Sequence, residues 1–203
     1  MTQPKETTAY PVLDAHSDSM ILREVRHDPL DFFVDDAAYH ADATRLREGG
    51  FCAAFVMVGD HDLRQSLRMI DGVKGMAARH PDACALCRTR AEVDAANADK
   101  RLAWVMSIEG QVMFREDPAL LRQWYDLGVR VASLTHGEGK FGGTVPPSPY
   151  ALQENGAFFG LLPPADREVL RRQSKGLTPF AREALREMGR LGMVCDLAHA
   201  NDR

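Results

Sequence analysis

Short apolar runs alternate with amphipathic stretches along the chain in steady order. "YPVLDAH" (10–16) predicts a first strand. The interleaved "DDAAYHADATRLREGG" predicts a helix that stops at Gly49–Gly50. "FCAAFVMV" (51–58) is almost uninterruptedly apolar, as expected of a strand covered on both faces. Leu63, Leu67, Ile70, Val73 and Met76 then recur at helical spacing. "RLAWVMSIE" (101–109) predicts a third strand. "DPALLRQWYDLG" predicts a short helix, with Asp117 as N-cap, Pro118 in the first turn and Gly128 at the end. "VRVASLTH" (129–136) predicts a fourth strand. In "GLTPFAREALREMGRLG", Thr178 caps, Pro179 starts and Gly192 ends a further helix, and Met193 to Leu197 predict a fifth strand.

Repeated strand–helix–strand order favours right-handed crossovers and a parallel sheet, hence an α/β fold. A doubly wound sheet and a (β/α) barrel both satisfy that pattern. Residues 137–176 break the rhythm with glycines and scattered prolines. They read as a long loop inserted after strand four, of the length expected for a lid or contact loop. Gly137, Gly139 and Gly142 spell G-x-G-x-x-G there, but "GGTVPPSP" cannot open the helix that a dinucleotide fingerprint requires.

Composition narrows the classes. A length of 203 residues suits a single domain (1–203), and 45% hydrophobic residues supply a sizeable core. Net charge is -4, from 25 basic and 29 acidic residues without a basic stripe, so nucleic acid is not an expected partner. No run approaches the ~18 apolar residues of a membrane span, and the opening lacks a secretory-signal pattern. A soluble, cytoplasmic protein is the expectation. Cys84 and Cys87 form a C-x-x-C without a second pair to complete a zinc cage, and read as small semi-buried thiols.

Chemistry in parallel α/β folds gathers at the carboxyl ends of strands. Strand one ends in "DAHSD", where period-two alternation points His16 and Asp18 to one side, able to share a divalent ion. Strand three ends in "SIEG", placing Glu109 after an apolar run, where a carboxylate is costly to bury. Strand four ends at His136, and strand five ends in "DLAH", with Asp196 and His199. Each feature alone is ordinary. Four of five strand tips carrying His, Asp or Glu is not.

"DAHSD", "SIEG", "GVRVASLTH" and "GLTPFAREALREMGRLGMVCDLAH" together resemble the membrane (renal) dipeptidase family of zinc peptidases. The resemblance implies a (β/α) barrel of the amidohydrolase-like, metal-dependent hydrolase type, of which this chain would hold about five of eight strands. It implies two zinc ions: His16 and Asp18 on the first, Glu109 bridging both, and His199 on the second. His136 would bind substrate and steady the tetrahedral intermediate. The implied activity is hydrolysis of a dipeptide substrate by a metal-activated water, with an inclination towards a homodimer. Ser17 stands where the family usually shows asparagine. The chain stops before the strands that carry the family's remaining ligands, so the expectation is an N-terminal portion of a longer enzyme. A related amidohydrolase acting on another amide or lactone, and a non-catalytic barrel fragment, are the competing readings.

Overall fold

The computed structural model describes residues 11–27, 31–33, 39, 41–59, 62–110, 113–114, 117–133, 165 and 177–198. Apart from Ala165, the predicted loop over 137–176 lies outside them. In chain order the elements are β1 (Val12–Ser17), α1 (Ser19–Val25), α2 (Ala43–Glu48), β2 (Phe51–Met57), α3 (Leu63–Arg79) and β3 (Cys84–Leu86). They continue with α4 (Arg90–Ala98), β4 (Leu102–Ile108), α5 (Pro118–Leu127), β5 (Val131–Ser133), α6 (Pro179–Leu191) and β6 (Val194–Asp196). The described residues form two compact units, one built on β1 to β4 with α1 to α4, the other on α5, β5, α6 and β6.

In the first unit β2 lies between β1 and β4, parallel to both, and Val56 stands opposite Ser17 on one side and Met106 on the other. The carboxyl ends of β1 and β4 therefore emerge at the same end of the sheet. All seven residues of β4 are buried, which its continuous apolar run requires of a central strand. Trp104 is the largest fully buried side chain, with the Phe32 ring edge-on at 5.4 Å. Met57 and Met106 of the sheet and Met69, Val73 and Met76 of α3 are also buried.

Two elements were not anticipated. β3 pairs with the first half of β4, Cys84 opposite Leu102 and Leu86 opposite Trp104. α4 follows it. The sequence does mark that helix: Thr89 accepts from the Glu92 N–H while the Glu92 carboxylate accepts from the Thr89 N–H, a reciprocal capping box. At the other end of α4, the Arg101 N–H reaches the Ala96 carbonyl (2.8 Å) and the Lys100 N–H the Asn97 carbonyl (3.0 Å). This is a Schellman closure. Its left-handed position, φ 59°, is held by Lys100 rather than by glycine. The helix expected before Gly49 begins, in the described residues, at Ala43. Buried Asp42 stops it there, accepting from the Arg45 N–H (2.8 Å) and from Arg45 Nε (2.6 Å).

In the second unit β5 and β6 pair in parallel, Val131 opposite Val194 and Ser133 opposite Asp196. Both flanking helices are capped as their sequences predict. Asp117 accepts from the Ala119 N–H, Thr178 from the Ala181 N–H, and Gly128 and Gly192 take left-handed conformations at the C-caps. Glu187 on α6 is gripped by Arg190 (2.8 Å) and by Arg122 of α5 (3.3 Å), whose hydrogen bonds hold its carboxyl down to about 2.

Candidate metal centre

The centre begins with how β1 ends. His16 is its penultimate residue, and Asp18 is already the N-cap of α1 (φ -84°, ψ 4°). Strict alternation does not align them. The ladder to β2 is irregular between Asp14 and Ser17, and the His16 N–H donates to Asp14 Oδ1 at 3.2 Å. The strand-to-helix turn brings the two side chains together instead, His16 Nε2 lying 3.2 Å from Asp18 Oδ1. The Asp18 carboxylate does not cap its own helix, which leaves it at the imidazole. Ser17 points the other way and is buried, its hydroxyl 3.4 Å from that of Ser19.

Glu109 follows the last residue of β4 and is only 6% exposed. The backbone turns sharply behind it. Gly110 takes φ 77°, and its N–H donates to the buried Ser133 hydroxyl at 2.8 Å. A side chain at 110 would strain that turn. The strand pattern of "VRVASLTH" conceals this contact, since a serine inside an apolar run carries no distinctive signal.

The outcome is a cluster of one imidazole and two carboxylates. One ligand atom each from His16, Asp18 and Glu109 lies within 4.8 Å of the others. Two ligands of one ion, each at about 2.1 Å, can be at most about 4.2 Å apart, so a shift of about half an ångström would suffice for binding. The donor chemistry also fits. Mixed imidazole and carboxylate ligation suits zinc and its divalent neighbours, and two carboxylates this close repel unless a cation neutralises them.

His136 and His199 lie outside the described residues. Asp196 serves locally, accepting from the Ala198 N–H at 2.8 Å. Cys84 and Cys87 are each 1% exposed, and burial pushes both thiols up to about 11. Thiols so reluctant to ionise make poor metal ligands and nucleophiles.

Residues 5–158 match the family described as membrane dipeptidase, peptidase family M19. The chain belongs to this family of metallopeptidases. One relative, an uncharacterised dipeptidase of Schizosaccharomyces pombe, is 30% identical over 213 residues, covering 95% of this chain and 47% of that protein. The solved structure of dipeptidase AC, a family M19 metallopeptidase, superposes with a TM-score of 0.70 at 24% identity, over 97% of this chain and 58% of that one. A Rhodobacter sphaeroides metallopeptidase, liganded with a phosphinate mimic of the dipeptide L-Ala-D-Ala, gives 0.70 at 21% identity, over 95% and 59%. These likenesses establish the parallel α/β, barrel-type fold. The chain spans about half the length of the relatives it matches. Among the described residues, no helix is long and apolar enough to cross a membrane.

Proposed function

We propose that this chain contributes the N-terminal part of a zinc dipeptidase site, and that the whole protein hydrolyses dipeptides. The observation that carries this reading is the convergence of His16, Asp18 and Glu109, from two separate strand ends, to within 4.8 Å. Family membership supports the peptidase chemistry, and the dipeptide mimic held by the Rhodobacter sphaeroides relative supports the substrate class.

His16, Asp18 and Glu109 would hold zinc, with His199 on the second ion and His136 beside the substrate as the family resemblance implies. Bound zinc would supply Lewis-acid polarisation of a carbonyl and a water acidified towards pH ~7. The remaining roles belong to the chain. His16 would offer Nε2, the nitrogen facing Asp18, and a proton shared between Nε2 and Asp18 Oδ1 would have to leave on binding. Glu109, largely withdrawn from water, offers carboxylate oxygens where an incoming cation would need them. The Gly110–Ser133 hydrogen bond would steady the turn that follows Glu109. His136 would orient the substrate and donate to the developing oxyanion.

The test is zinc stoichiometry and dipeptide hydrolysis by the purified protein, alongside Glu109→Gln. One or more zinc ions per chain, sharply reduced in the variant, is the expected result. Zinc retained at full stoichiometry by Glu109→Gln overturns the assignment.

A further inference from the structure

At the opposite end of the same sheet lies a cleft of about 220 Å³, lined by Arg47, Phe51, Cys52, Asn97, Lys100, Arg101 and Leu102. Its walls are the end of α2, the start of β2, the end of α4 and the start of β4. That volume equals about seven water molecules at ~30 Å³ each. It is below the ~300–1,000 Å³ of drug-sized pockets, and suits a small ion or a compact metabolite.

Its charge is one-sided. Three cations line the cleft, and a single carboxylate answers them: Asp99, 2.9 Å from Arg101 Nη2. Among the described residues neither Arg47 nor Lys100 forms an ion pair, and Arg101 Nε is buried without a hydrogen-bond partner. Basic side chains do favour helix C-termini, and α2 and α4 both end here. That preference does not explain the backbone. Lys100 occupies the left-handed closing position of α4, where glycine is the undemanding choice. A long cationic side chain is kept at a cost to local geometry, and it lines the cleft. Phe51 and Leu102 add an apolar wall beside the charges.

We propose that this cleft binds the phosphoryl group of a small soluble phosphate monoester, held by Arg47, Lys100 and Arg101, with the ester's body against Phe51 and Leu102. Guanidinium groups match the geometry of phosphate oxygens, and the lysine adds a compact charge. The site is separate from the metal centre, at the other end of β2 and β4, and does not depend on the peptidase reading.

The test is calorimetric titration of the full chain with inorganic phosphate at ionic strength held constant with chloride. One saturable site per chain is expected. Arg47→Ala and Lys100→Gly should each weaken it about tenfold, as expected for loss of a charge-assisted contact. Glycine at 100 suits the left-handed turn, so that variant should fold. Glu109→Gln should leave phosphate affinity unchanged. Absence of a saturable site overturns the proposal. So does unchanged affinity in both Arg47→Ala and Lys100→Gly, or a loss confined to Glu109→Gln, which would assign the phosphate to the metal centre.

Discussion

At the carboxyl end of the sheet formed by β1, β2 and β4 stand one imidazole and two carboxylates; at the opposite end stand two arginines and a lysine. Both groups obey the same field. Helix N-termini follow strands at the first end and helix C-termini precede strands at the second, so acids suit one and bases the other by ~0.3–1 kcal/mol each. Burial separates them. Arg47 and Lys100 are exposed, whereas Glu109 is 6% exposed and shares its surroundings with a second carboxylate. Withdrawing an ion from water costs several kcal/mol unless opposite charge compensates it. The acidic end therefore offers ligand atoms whose burial a cation would compensate, and the basic end offers a place to an anion.

The strongest way to break this contrast is to neutralise Glu109. Glu109→Gln keeps the volume and removes the charge. Since disturbing even the partners that orient metal ligands costs ~10–100-fold, loss of a ligand itself should reduce zinc affinity by about 100-fold or more. Competition with a chromophoric chelator measures it. A change of less than threefold would mean that the acidic end does not require its ion.

A second test asks whether the C-x-x-C pair adds a third reactive place beside the start of β4. With thiols near 11 instead of 9.0, the thiolate fraction of Cys84 and Cys87 at pH 8 is about 100-fold lower than in the unfolded chain. Alkylation of the native protein should be slower by about that factor. The sign for stability follows. A thiol whose folded value is raised holds its proton longer in the native state, so its contribution is complete below pH 9 and is lost as pH rises towards 11. Rapid labelling at pH 8 with the fold intact would give the pair a chemical role.

Much of this is legible in the sequence. Proline and glycine punctuation located α5 and α6 with their caps, because those signals act within one turn and do not depend on distant contacts. The strand ends were legible because apolar runs stop abruptly at His16 and Glu109. What hid was geometry set between strands. The pairing of His16 with Asp18 depends on an irregular ladder and a turn into α1, not on alternation. β3, three residues long, is a strand only because β4 offers it an edge. Ser133 matters only because it lies where the Gly110 N–H points.

That last contact gives a smaller, sharper probe. Ser133→Ala leaves the buried Gly110 N–H without its acceptor, at about 1–3 kcal/mol of stability by urea denaturation. The turn that aims Glu109 loosens, and zinc affinity should fall about tenfold, with Ser133→Thr restoring part of it. Loss of stability with unchanged zinc affinity would show that the acidic end is positioned by β4 alone.

The smallest effect is expected at the basic end, from the stability of Lys100→Gly. Releasing a left-handed side chain gains ~1–2 kcal/mol. The extra freedom of glycine in the unfolded chain returns ~0.5–1 kcal/mol, and losing a cation near the carbonyl end of α4 costs a further ~0.3–1 kcal/mol at low salt. The net should be within about 1 kcal/mol of zero. It should become more favourable as salt rises, because only the charge–dipole contribution is screened. Melting curves at low and high sodium chloride test this, the variant gaining on the native chain as salt increases. A loss of 2 kcal/mol independent of salt would make Lys100 a packed structural cap, and the two ends of the sheet would then differ in charge without both being places to bind.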